Sequence, residues 1–135
     1  MAIPRSSRLC LLTISLALVC SSCGVCPPPP VISSISPNKT AAGGNQFVLT
    51  VNGSDFRHDS SVSWNGSLRA TTFVSGHQLK AAVTAADIAQ PGMVLVLVFN
   101  PPQTSTTSVS GAIGMGTITR CSGKDSNTVS FTISP

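Results

Sequence analysis

A chain of 135 residues has room, once a leader is taken off the front, for one domain of about 105 residues, and a second core is excluded. Only 9% of the residues are charged and none is Tyr, so Ser, Thr, Gly and Asn must make the polar surface. The net charge of +4 falls to +2 when Arg5 and Arg8 leave with the leader, because Lys39, Arg57, Arg69, Lys80, Arg120 and Lys124 then oppose Asp55, Asp59, Asp87 and Asp125; cations scattered singly in this way exclude the clustered basic surface that nucleic-acid binding needs.

Arg5 and Arg8 precede an uncharged apolar run of 12 residues, Leu9 to Cys20. That pattern predicts a secretory signal over residues 1–23, since a spanning helix needs about 20 apolar residues. The run ends in Cys20-Ser21-Ser22-Cys23-Gly24. This looks like a bacterial lipobox, with Cys23 as the lipidated residue, although Cys20 stands where an aliphatic residue is expected. Two outcomes stay open: attachment to the membrane at the cell envelope through lipidated Cys23, or cleavage near Ser21 or Ser22 and secretion. Cys20, Cys23 and Cys26 also repeat the C-x2-C-x2-C opening of an iron–sulfur run. No fourth cysteine follows at the needed spacing and Cys20 lies in the signal core, so no cluster and no other cofactor is expected.

Residues 24–30 end in Pro27-Pro28-Pro29-Pro30, which predicts a stiff extended spacer between anchor and domain. The domain is then expected over 31–135. Val31 to Ser36 reads as a strand stopped by Pro37-Asn38. Phe47, Leu49 and Val51 alternate with Gln46, Val48, Thr50 and Asn52 in a second strand, ended by Asn52-Gly53. Val62 and Trp64 share one face of a third, closed by Asn65-Gly66; the glycine pairs are expected to supply the positive φ of tight turns. Thr71 and Phe73 mark a fourth, and Leu79, Ala81 and Val83 a fifth. Ala85 to Ile88 is one helical turn that Asp87 caps or orders. Met93 to Phe99 is an unbroken apolar sixth strand, and Val129, Phe131 and Ile133 mark the last. About seven short strands at this spacing predict an all-β fold of two packed antiparallel sheets.

Several of these stretches together, namely Ile35-Ser36-Pro37-Asn38, Ala42-Gly43-Gly44, Leu49 to Phe56, Val62 to Gly66, Ala85 to Ile88 and Pro91-Gly92, resemble the IPT/TIG family. These are immunoglobulin-like modules found in plexins, some transcription factors and many bacterial surface proteins. The resemblance spans Val31 to Pro135 and is weakest between Pro102 and Asn127. It implies a β-sandwich without the inter-sheet disulfide of antibody domains, and a role in recognition or assembly of a protein or polysaccharide.

Two departures from the family pattern single out a candidate contact surface. In the sixth strand Val94, Val96 and Val98 occupy the face such modules turn inward, yet the opposite face is Met93, Leu95, Leu97 and Phe99 instead of polar residues. An exposed apolar row of that length needs a cover or a partner, which includes self-association. The connection over about 101–127 is long for a hairpin, and its middle carries Ile113 and Met115. It either folds back over Leu95, Leu97 and Phe99 or projects as a binding loop. Cys121, near its end, is matched to Cys26 as a candidate disulfide in an oxidising compartment.

Catalytic chemistry finds no support. His58 and His77 are single, no carboxylates pair for acid–base work, no serine lies in a nucleophile motif, and Gly111, Gly114 and Gly116 lack a phosphate-site context. Asn38-Lys39-Thr40, Asn52-Gly53-Ser54 and Asn65-Gly66-Ser67 match the glycosylation acceptor pattern but read as turn chemistry. The expectation is a non-catalytic module without metal. The alternative is a carbohydrate-binding accessory of a glycan-degrading system, for which an exposed Trp64 would speak and a buried one would not.

Overall fold

A computed structural model describes residues 26–107 and 117–135. Among them the strands in chain order are β1 (Val31–Ser36), β2 (Lys39–Ala41), β3 (Phe47–Ser54), β4 (Ser61–Trp64), β5 (Ser67–Leu68), β6 (Thr71–Ser75), β7 (Gln78–Val83), β8 (Gly92–Asn100), β9 (Gln103–Thr107), β10 (Thr117–Cys121), β11 (Lys124–Asp125) and β12 (Val129–Ser134). A 3-10 turn at Ala85–Ile88 is the one helical element among the described residues. One sheet has the order β1-β3-β7-β6 and the other β2-β12-β8-β4-β5, with β11 also paired to β8. The strands are antiparallel except for β2, which runs parallel to β12. This is an immunoglobulin-like sandwich.

The alternation read from the sequence decides which side of each strand faces the other sheet. Leu49 and Val51 of β3 and Leu79, Ala81 and Val83 of β7 are buried against Val62 and Trp64 of β4, Val94, Val96 and Val98 of β8, and Phe131 and Ile133 of β12. Phe131 is central: its ring centroid lies 4.9 Å from that of Trp64 and 5.7 Å from that of Phe47. Burying such a ring stabilises the fold by roughly 2–3 kcal/mol before packing terms. Among the described residues no buried side-chain nitrogen or oxygen lacks a hydrogen-bond partner.

Four features differ from the sequence expectations. The first strand stops at Pro37-Asn38 as expected, but beyond the cis Ser36–Pro37 peptide the chain crosses to the other sheet as an unexpected strand, β2. Three residues without alternation carry no strand signal of their own, and β2 exists because β12 offers it an edge. Second, Asn52-Gly53 does not end β3. Gly53 pairs with Ile32 inside the strand, and a Cβ there would lie 1.8 Å from the Val31 carbonyl oxygen and 2.7 Å from the Phe56 ring. Glycine is required for close approach, and the positive φ falls on Asp55. The Asn65-Gly66 turn does use two positive φ angles, 50° and 87°.

Third, the long connection after β8 is not a simple loop: β9 and β10 pair from Gln103↔Cys121 to Thr107↔Thr117. Residues 108–116, including Ile113 and Met115, lie outside the described residues. Fourth, the proline run is not a free spacer. Cys26 is bonded to Cys121, with Cα atoms 5.5 Å apart, and Pro30 is fully buried. The run is thus attached to the domain at both ends.

Candidate functional site

The outer face of the second sheet follows from strand register. Residues paired across antiparallel strands share a face. Ser61, Ser63, Ser130 and Thr132 therefore accompany Phe99, Leu97, Leu95 and Met93 on the outside, while Val62, Phe131 and Val129 accompany Val98, Val94 and Val96 within. Leu68 of β5 extends the outer row beyond Ser63.

Along this row exposure falls from one end to the other. Met93 is 69% and Leu95 48% exposed, whereas Leu97 and Phe99 are half-buried. Gly123 lies against the Phe99 ring so closely that a Cβ would meet it at 2.8 Å. The end of the insertion therefore shields Phe99. Leu95 is open in a setting of hydroxyl-bearing neighbours, and the middle of the insertion, which the cover would need, lies outside the described residues. Cys23 lies outside the described residues.

Trp64 is only 3% exposed and packs on Phe131, so it belongs to the core and offers no stacking surface to a sugar. That weakens the carbohydrate alternative. His58 and Asp59 are exposed on the β3–β4 loop, and among the described residues no group of three or more His, Cys, Asp or Glu is placed to hold a metal. No helix of the described residues is long and apolar enough to cross a membrane.

The β3–β4 loop is the part the sequence reading undervalued. Its organiser is Asn100, fully buried at the end of β8. The Asn100 carboxamide donates through Nδ2 to the Asp55 carbonyl at 3.0 Å and accepts the Ser60 hydroxyl at 2.5 Å. Ser60 Oγ in turn accepts the Arg57 backbone N–H at 2.7 Å. Arg57 reaches across to the Pro101 carbonyl at 3.2 Å and pairs with Asp59 at 2.6 Å. The one sequence signal was an Asn closing an apolar strand just before Pro101-Pro102.

At the opposite end of the sandwich, Asp87 orders the 3-10 turn as expected. Its carboxylate accepts the Thr84 backbone N–H and hydroxyl, each at 2.9 Å, and Arg69 donates to both of its oxygens. Burial raises the Asp87 carboxyl, but the bonds from Thr84 and the Arg69 guanidinium outweigh it and hold the group below its ordinary value.

The family model for the IPT/TIG domain matches residues 30–112, more than half of the chain. The chain belongs to the IPT/TIG family. A search of the curated proteins gave no match. The IPT/TIG match stops inside the insertion, yet β12 beyond it supplies Phe131 to the middle of the core, so the sandwich needs residues the match does not reach. IPT/TIG modules are often used for binding and are generally non-catalytic scaffolds, in keeping with a chain whose distinctive surface is an apolar sheet face.

Proposed function

We propose that this IPT/TIG domain is a non-catalytic recognition or assembly module of the cell envelope, exported and held at the membrane by lipidated Cys23, and that it meets a protein partner through the outer face of β8. The observation that carries the reading is the open apolar row of Met93 and Leu95, continued by the half-buried Leu97. A flat row of aliphatic side chains gains free energy by burial against another apolar surface and has few groups to satisfy a polysaccharide's hydroxyls. With Cys23 acylated, only Gly24 and Val25 separate the anchor from the Cys26–Cys121 bond. That tether spans only about 10 Å when extended, so the insertion end would face the bilayer and the row on β8 would run away from it.

The test is a photo-crosslinking residue placed at Leu95 in cells, with the same residue at Lys80 on the other sheet as the reference. A discrete adduct from Leu95 and none from Lys80 supports the assignment. Equal yields, or none from Leu95, overturn it. The intact mass of the mature protein separately decides the anchor: a chain beginning at acylated Cys23 supports it, and an unacylated chain overturns it.

A further inference from the structure

We infer that the cleft between the Phe56–Ser60 loop, β6 and the start of β9 is a binding site for a neutral sugar ring, separate from the β8 face. It has a volume of about 570 Å³ and is lined, among the described residues, by Phe56, Arg57, His58, Asp59, Phe73 and Gln103. That lies within the roughly 300–1,000 Å³ usual for small-ligand sites.

The loop that forms one wall is held in place before any ligand arrives. Phe56 N–H donates to the Gly76 carbonyl and Ser60 N–H to that of Arg57, each at 3.0 Å. The Asn100 carboxamide holds Asp55 and Ser60, and Arg57 is tied to Pro101. A wall anchored at this many points loses little conformational freedom on binding. Phe56 and Ser60 are buried and Arg57 is half-buried, whereas His58 and Asp59 between them stay exposed. The His58 ring rests on Phe73, with centroids 4.1 Å apart, which fixes its direction as well.

The chemistry of the lining selects the ligand class. Arg57 and Asp59 neutralise each other, so an anion would first have to break their 2.6 Å pair, and a cation would meet the guanidinium. A purely apolar ligand would strand the Gln103 carboxamide, and the Asp59 carboxylate oxygen that Arg57 does not bind, away from water. A sugar avoids all three penalties: its C–H face packs on the Phe73 and His58 rings, and its neighbouring hydroxyls both donate to and accept from the planar groups of Asp59, Arg57 and Gln103. The cleft thus supplies the stacking surface that buried Trp64 cannot. It rests on different residues from the β8 face, so either assignment stands if the other fails.

The experiment is an amide-resolved NMR titration of the mature protein with the methyl glycosides of glucose, galactose, mannose and N-acetylglucosamine. Saturable shifts centred on His58, Asp59 and Gln103 are expected with at least one glycoside. Asp59→Asn and Gln103→Ala alter exposed side chains and leave the spectrum of the fold intact, and each should weaken binding by about tenfold, one lost polar contact of roughly 1.4 kcal/mol. Leu95→Lys should leave the affinity unchanged. Absence of a saturable shift with all four glycosides, shifts centred elsewhere, or affinities insensitive to both cleft substitutions would overturn the assignment.

Discussion

The side-chain amide of Asn127 pairs with both backbone groups of Ile32, accepting its N–H at 2.8 Å and donating to its carbonyl at 3.0 Å. The two residues are 95 positions apart: Ile32 lies in β1 of one sheet, and Asn127 in the loop between β11 and β12 of the other. Asn127 does for the open edge of β1 what a neighbouring strand would do, and it ends pairing there because it has one amide to offer. Unpaired edges recruit other chains, so this contact protects the sandwich as well as joining its sheets. Asn127→Ala should cost about 1–2 kcal/mol in urea unfolding and should speed hydrogen exchange at the Ile32 amide more than at Val51; equal exchange at both would show that the pair does not seal the edge.

Asn100→Ala removes the buried hub beneath the β3–β4 loop. The Ser60 hydroxyl would lose its partner in a buried position and the Asp55 carbonyl its partner in a part-buried one, at a cost of about 2–3 kcal/mol. A fall in the urea midpoint with an unchanged slope is the expected result. A loss below about 0.5 kcal/mol would mean that the hub does not hold the loop.

Asp87 makes the stability of the domain depend on acidity. Its carboxyl is lowered from the ordinary value of 3.8 when folded, so in that range the unfolded chain binds more protons than the native one. The ionised group therefore stabilises the fold above 3.8, and the contribution is lost as the pH falls through the lowered folded value. Asp87→Asn should flatten the acid limb of stability between about pH 5 and pH 2 and leave its shape near neutrality unchanged. A parallel acid limb in the variant would place the proton-linked stabilisation on another carboxylate.

Leu95 and Val96 are neighbours in sequence and face opposite sides of β8. Leu95→Lys should change stability by less than about 0.5 kcal/mol, while Val96→Lys would bury an unpaired ammonium in the core and leave the chain unfolded. Circular dichroism on the two variants checks the register directly. Two folded variants, or two unfolded ones, would contradict it.

The Cys26–Cys121 bond closes most of the domain into one covalent loop. Alkylation of the mature protein without reduction should leave both residues unmodified. Cys121→Ala should lower stability by about 2–4 kcal/mol through the freedom returned to the unfolded chain. Two alkylated thiols on Cys26 and Cys121 in the native mass would rule the bond out.

Much of the sandwich was legible because period-2 alternation is a local property. Leu49 with Val51, Leu79 with Ala81 and Val83, and Phe131 with Ile133 each announce one apolar side, and a strand has only two sides to choose between. The same pattern exposed the anomaly of β8, where both sides are apolar and one had to face outward. The Asn65-Gly66 turn was equally local. Glycine at 53 was visible too, but its reason was not, because the obstacle to a larger residue is the carbonyl of Val31 on another strand.

What the sequence by itself determined is the seven main strands with their inner faces, the family, and the surplus apolar row, since each depends on residues within a few positions of one another. Tertiary structure alone decided that Lys39–Ala41 becomes a strand beside β12, that Asn127 closes the edge of β1, that Asn100 holds the Phe56–Ser60 loop, and that Gly123 covers Phe99 while Leu95 stays open. Each of these joins segments tens of residues apart, where hydrogen-bond geometry and close packing choose the partner and no spacing along the chain records the choice.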